Sequence, residues 1–189
     1  MTRKIVYSIM TSLDGYIEDA SGNFDFLAPD EELHHYANEL EKAVDTHIYG
    51  RNMYEIMHAG WSISYDDVPN TPQEVLDYAT LWKKIQKVVF STTLDHVEGK
   101  ARLLRGNIPA EVARLKAETG GDISISGAGI AASFLELGLV DEICFFVFPI
   151  LLGDGKPALP KHLSRMSLEL TETRTFQSGV VMLWYKIRS

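Results

Sequence analysis

The sequence predicts an α/β domain built on a mixed, mostly parallel sheet, covered by helices on both faces and ending in an antiparallel pair of strands. Strand-like and helix-like hydrophobic patterns alternate through the first three quarters of the 189-residue chain, the order expected when helices cross between parallel strands. Two β-rich runs around Gly179 close the chain. Between them, residues 122–155 (DISISGAGIAASFLELGLVDEICFFVFPILLGDG) compress a strand, a glycine turn, a helix and a second strand into one unit.

Lys4 to Met10 reads as a buried first strand, broken by the turn Asp14-Gly15 and followed by a long loop. Asp30 is placed to cap a helix whose apolar positions Leu33, Tyr36, Ala37, Leu40, Ala43 and Val44 recur at helical spacing. Thr46 to Tyr49 is a short strand ending at Gly50-Arg51, and Asn52 to Met57 a helical turn or two. Thr71-Pro72-Gln73-Glu74 carries a capping box, with Thr71 as N-cap and Pro72 at the first helical position, for a helix running to about Ile85. Lys87 to Ser91 and Ala101 to Leu104 are strands, and Asn107 to Glu118 is a helix closed by Gly120-Gly121. Ile123 and Ile125 alternate with Ser124 and Ser126 before Gly127-Ala128-Gly129 turns the chain into a helix through Phe134 and Leu135. Ile143 to Phe148 is an apolar strand, Gly153-Asp154-Gly155 a flexible turn, and Ser167 to Thr173 with Val180 to Ile187 an antiparallel pair.

No repeat, low-complexity tract or linker divides the chain, so residues 1–189 are read as one domain. A formal charge of −8 without any basic run argues against nucleic acid as a partner. Apolar runs are strand-length, far short of the roughly 20 residues that span a bilayer. The first ten residues show no apolar signal core, which leaves the cytoplasm as the expected location. Cys144, the single cysteine, falls inside ICFFVF and reads as an inert core residue. The six histidines lack metal-ligand spacing and read as solvent-facing, so no metal is expected.

In such a sheet, ligands collect beyond the carboxyl ends of the strands, so the turns after the strands are the segments to compare. They are Ser12-Leu13-Asp14-Gly15, Gly50-Arg51-Asn52, Ser91-Thr92-Thr93 and Gly127-Ala128-Gly129. Arg51 offers a fork of donors suited to phosphate, or else a surface ion pair; Ser91 and Thr92 offer hydroxyls, or ordinary caps. Glycines at a helix start let an anion approach bare N–H groups. The acidic residue expected about 20 positions beyond a dinucleotide fingerprint is missing. Three such turns together are suited to one dinucleotide. Asp14 is the most suggestive carboxylate for catalysis or for holding substrate, although Asp before Gly is also a common turn residue. Trp61 is either a flat wall for a planar substrate or a core anchor, Gly153 lines the same cleft or returns the chain, and Trp184 reads as core.

With these segments in place, the chain resembles the dihydrofolate reductase-like family that includes the C-terminal reductase domain of bacterial riboflavin-biosynthesis deaminase-reductases, especially its stand-alone members. SIMTSLDGYIE (8–18), YGRNMYE (49–55), VVFSTTL (88–94), the glycine unit and SGVVMLWYKI (178–187) carry the resemblance. It implies a three-layer α/β/α sandwich, a homodimer, and NADPH across the strand ends. Gly50, Arg51 and Asn52 would meet the pyrophosphate and 2′-phosphate side, Ser91 and Thr92 the adenosine side, and Ser126, Gly127, Ala128, Gly129 and Ile130 the central pyrophosphate. Glu31 or Glu32 falls near the place of the carboxylate that binds the pteridine in dihydrofolate reductases. Met53, Thr92 and Ala128 depart from the family pattern, which keeps NADH open beside NADPH. The implied reaction is hydride transfer to a small pyrimidine- or pterin-like heterocycle. The alternatives are the riboflavin-pathway reductase itself and a dinucleotide-binding homodimer without catalysis.

Overall fold

The structure is a computed structural model and describes residues 3–65 and 68–188. Its elements are β1 (Ile5–Ser12), β2 (Tyr16–Asp19), α1 (Glu31–Glu41), β3 (Val44–Gly50), α2 (Arg51–Trp61), α3 (Gln73–Lys84), β4 (Gln86–Phe90), β5 (Ala101–Leu104), α4 (Ile108–Ala117), β6 (Asp122–Ser126), α5 (Ala128–Glu136), β7 (Glu142–Phe148), β8 (Gly155–Pro157), β9 (Ser167–Thr175) and β10 (Val181–Arg188). Eight strands form one sheet in the order β5-β4-β3-β6-β1-β7-β10-β9. The six from β5 to β7 run parallel, and β10 lies antiparallel to both β7 and β9.

Side-chain alternation explains how helices come to lie on both faces. Ile5, Tyr7 and Ile9 of β1 join a core that includes Ile48, Val88, Ile123 and Ile125, and α4 and α5 close it with Val112, Leu115, Phe134 and Leu135. Val6 and Met10 turn the other way, toward Leu33 of α1, Phe146 and Met182. Tyr49 and Val89 meet Tyr54 of α2 on that second face. α3 packs beside α1 and α2, with Trp82 Nε1 donating to the Tyr49 hydroxyl at 3.1 Å. Phe134, fully buried and edge-on to Phe90 at 5.7 Å, anchors α5; truncation to alanine there costs about 3–5 kcal/mol.

Several elements differ from the sequence expectation, most of them because a partner outside the local pattern overrides it. α1 stops at Glu41, since Val44 pairs with Asp122 as the first residue of β3. α2 extends to Trp61 rather than Met57, since His58 packs against Trp82 and Trp61 against Tyr78 of α3. Thr71 does not cap α3: Pro72 occupies the N-cap, and the Thr71 hydroxyl donates to the Val68 carbonyl at 2.9 Å. β2 and β8, read as loop and turn, form a separate antiparallel pair. His47 is 2% exposed, bonded to Tyr49 and Glu41 at 2.6 Å each, and His34 is half-buried beside Tyr78. These two are not solvent-facing. Trp184 is half-buried, with Nε1 donating to Glu142 at 2.8 Å. Cys144 is buried, and burial pushes its thiol up to about 12.

Candidate functional site

β3 and β6 are parallel neighbours, and the helices that follow them leave to opposite faces of the sheet. A crevice opens where such a pair diverges. α2 begins on Gly50 and α5 on Gly127, and neither N-cap residue supplies a side-chain hydrogen bond. Gly127 has φ 104°, a conformation L side chains rarely adopt, and a Cβ there would lie 3.0 Å from Met53 Cβ. A Cβ on Gly50 would lie 3.5 Å from Ile130 Cβ. Each helix thus rests a side chain on the other's glycine, and the two turns form one floor. Met53 is the side chain that seats α2 against Gly127.

That floor underlies a cleft of about 350 Å³. Gly50, Arg51, Asn52, Gly127, Ala128, Gly129 and Ile130 all line it, so these seven expected residues, distant in sequence, come together. Two helix N-termini meeting there place partial positive charge where an anion would sit. Ser91, Thr92 and Ser126 are not among its lining residues. Ser126 ends β6, paired with Tyr49. Ser91 Oγ accepts from the Thr93 and Leu94 amides at 3.2 and 3.1 Å, as a cap does. Arg51 reaches that turn, with Nη1 donating to Thr93 Oγ1 at 3.3 Å, while its Nε donates to Glu55 at 3.1 Å.

The opposite wall is the β2–β8 strap, which contributes Ile17, Glu18 and Lys156 to the cleft. Ile17 packs with Ala158 on Ala128, the first residue of α5. Tyr7 donates to the Ala158 carbonyl at 2.8 Å, and burial raises its hydroxyl pKa well above the ordinary value. Asp14 secures the strap's entry and exit: its carboxylate accepts from the Ser12 hydroxyl at 2.6 Å, the Gly153 amide at 2.7 Å and the Leu152 amide at 3.1 Å. The Ser12 and Gly153 donors hold the Asp14 carboxyl below its usual range, so at neutral pH it is an ionised acceptor. Asp14 and Gly153 are therefore brought together, as partners rather than as cleft lining.

Glu31 is exposed on the first turn of α1 and lines neither this cleft nor the depression beside Phe148 and Val180. Trp61 closes the far end of α2, about 15 Å along the helix from Arg51 at 1.5 Å per residue, and packs edge-on to Tyr78 at 4.5 Å. The structure places it as an anchor. A second depression of about 250 Å³ is walled by Phe26, Phe148, Pro149, Ile150 and Val180; the carboxylate at its edge, Asp30, accepts from the Leu33 amide at 2.8 Å. Among the described residues, no group of three or more His, Cys, Asp or Glu side chains is placed to hold a metal ion, and no helix is long and apolar enough to cross a membrane. Ile17, Glu18, Phe90 and Lys156 were not foreseen. No local signal marks Glu18 or Lys156, which meet across 138 positions of sequence.

The RibD C-terminal domain family matches residues 3–182. The uncharacterized protein YyaP of Bacillus subtilis is 35% identical over 97% of this chain and 94% of that protein, and the uncharacterized protein YwjB of the same organism is 29% identical over 95% and 96%. A solved structure from Shewanella sp. PV-4, named for riboflavin biosynthesis, superposes with a TM-score of 0.76 at 26% identity over all of both chains. The Thermotoga maritima deaminase/5-amino-6-(5-phosphoribosylamino)uracil reductase superposes at 0.70 with 12% identity, over 99% of this chain and 57% of that one. Enterococcus faecalis dihydrofolate reductase, in complex with NADP(H), shares the fold at 0.64 and 11% identity over the full length of both. A dihydrofolate reductase-like sheet, with its crevice between β3 and β6, and a match over residues 3–182 lead to one assignment: the chain belongs to the RibD C-terminal domain family.

Proposed function

We propose that this chain is an NAD(P)H-dependent reductase that delivers hydride to a small pyrimidine- or pterin-like heterocycle. The observation that carries the proposal is the convergence of two helix N-termini without side-chain caps, α2 and α5, with Arg51 between them and the Ser91 turn. Such a floor fits the phosphates of a dinucleotide: bare amides approach through Gly50 and Gly127, and Arg51 supplies a fixed cation. The bound nicotinamide would supply the hydride. The protein's own part is to hold the phosphates with the α2 and α5 amides, Arg51 and Asn52, and to shield the cleft with Ile17 of the strap. Asp14 serves this reading as a positioning residue, because an ionised carboxylate held by three donors keeps the strap in place and has no proton to give.

Titrating NADPH and NADH by calorimetry tests the proposal. Neither Trp61, Trp82 nor Trp184 lines the cleft, so heat, or nicotinamide fluorescence, is a better reporter than tryptophan. Saturable binding below millimolar concentration is expected, and Arg51→Gln weakens NADPH about tenfold through loss of a charge-assisted contact. No binding of either dinucleotide would sink the proposal, and binding without turnover of any pyrimidine, pterin or quinone would leave only a dinucleotide-binding protein. The family match favours a second reading, reduction of 5-amino-6-(5-phosphoribosylamino)uracil, the reaction named for the Thermotoga relative. Loss of nicotinamide absorbance with that compound separates the two.

The reading includes a homodimer. Strand register puts Val181, Leu183, Tyr185 and Ile187 of β10 on one face with Thr175, Thr173, Leu170 and Leu168 of β9, while Arg174, Glu172, Glu169 and Lys186 take the other. Leu168 and Leu170 are 43% and 50% exposed. In a protein of charge −8, a charge-free face is one that a second copy can meet through two-fold symmetry without repulsion. Light scattering should show a dimer that Leu170→Glu dissociates; a monomeric parent protein would remove this part of the reading.

A further inference from the structure

Resting on the dinucleotide reading, we propose that Lys156 is a second phosphate-binding cation of the cleft, held in reserve by Glu18 and transferred to the anion when it binds. Arg51 and Lys156 face the cleft from opposite walls, one from the start of α2 and one from the strap. Each is paired with a carboxylate on its own wall: Arg51 Nε with Glu55 Oε1 at 3.1 Å, Lys156 Nζ with Glu18 Oε1 at 2.7 Å. Glu18 and Lys156 sit opposite each other in the β2–β8 register. Gly155 makes that register possible, because a Cβ there would overlap the Glu18 carbonyl oxygen.

The Lys156 and Glu18 side chains are 46% and 26% exposed, and an ion pair in that setting contributes little net stability because water screens it. A phosphate oxygen offers the ammonium a more concentrated negative charge, flanked by two helix N-termini, and the lysine has donors beyond the one Glu18 uses. Exchange of partner therefore costs little and gains a charge-assisted bond. Glu18 then has the opposite effect on affinity from Lys156, since its carboxylate competes with the ligand for the same ammonium. The strap is fixed by Asp14 at Leu152 and Gly153, so Lys156 is delivered to the cleft rather than left on a loose loop.

The experiment is calorimetric titration of NADPH, and of inorganic pyrophosphate as a phosphate-only probe, into the full chain and its Lys156→Met, Glu18→Gln and Arg51→Gln variants at low and high salt. Lys156→Met is expected to raise both dissociation constants about tenfold, Glu18→Gln to lower them about threefold, and the salt dependence to weaken in Lys156→Met. Melting temperatures should stay within about 2 °C of the parent, as expected for a screened pair. Unchanged binding in Lys156→Met overturns the proposal, and so does equal weakening in Lys156→Met and Glu18→Gln, which would make the pair a brace of the strap. Weakening in Arg51→Gln with Lys156→Met silent removes Lys156 alone. If the parent protein binds neither probe, the dinucleotide reading falls and this proposal with it.

Discussion

Two helices of this protein begin on a side-chain cap and two begin on a glycine, and the glycine pair faces the cleft. Asp30 accepts from Leu33 at the start of α1, and Asn107 from Ala110 at the start of α4. α2 and α5 start on Gly50 and Gly127 with no such bond. Relative to glycine a side-chain cap contributes only about a few tenths of a kcal/mol, so the chain gives up little stability by leaving each cleft-facing end open. The difference teaches where a ligand's own oxygens are expected to complete the helix.

The contrast breaks most severely at Gly127. Gly127→Ala combines φ 104° with a 3.0 Å approach to Met53 Cβ, and together strain and overpacking should cost about 2–4 kcal/mol in denaturant unfolding. Dinucleotide affinity should fall with it. Gly50→Asp separates stability from binding: φ −83° and ψ 173° suit an N-cap aspartate, and the nearest atom to its Cβ, on Ile130, is at 3.5 Å. That variant should gain about 0.5–1 kcal/mol of stability while losing NADPH binding, because its carboxylate takes the amides and repels phosphate. A stable variant that binds normally would show that the α2 amides hold no anion. Asp30→Ala, at a capped end, should lose about 1 kcal/mol with the NADPH dissociation constant unchanged.

The smallest effect is expected at Asp14, where the strap is tied by an exposed carboxylate. Its pKa is lowered in the folded chain by Ser12 and Gly153, so the unfolded chain binds its proton at higher pH than the folded one does. The stabilisation is complete above the unfolded value of about 3.9 and disappears as pH falls through the lower folded value. The melting-temperature difference between the parent and Asp14→Asn should therefore stay flat from neutral pH down to about 5 and shrink below about 4. If Asp14 were instead the proton donor, Asp14→Asn would lower turnover while leaving cofactor affinity unchanged.

Features legible in the sequence are those decided within a few residues. Asp30 and Asn107 cap helices because the side chain meets an amide three positions ahead. The Gly127-Ala128-Gly129 turn, the alternation in β6 and the buried or apolar runs of β1 and β7 read directly, as did Gly50-Arg51 at a strand end. Where a local signal failed, a distant pairing decided: Val44 left its helical pattern to pair with Asp122, and His47 was buried because β3 runs between β4 and β6. Of the two readings of Trp61, its contact with Tyr78 fits the anchor.

Hydrophobic period, glycine placement and capping residues by themselves determined the strand and helix order, the mixed sheet and the phosphate-compatible turns, since each depends on chemistry within one turn of chain. Only the tertiary structure decided which of those turns share a cleft, that Ser91 closes its own turn outside it, and that Glu18 and Lys156 form its other wall. Those outcomes rest on strand pairings between distant residues, Tyr49 with Ser126 and Glu18 with Lys156, and pairing partners at that range are selected by burial of the whole sheet rather than by any nearby residue.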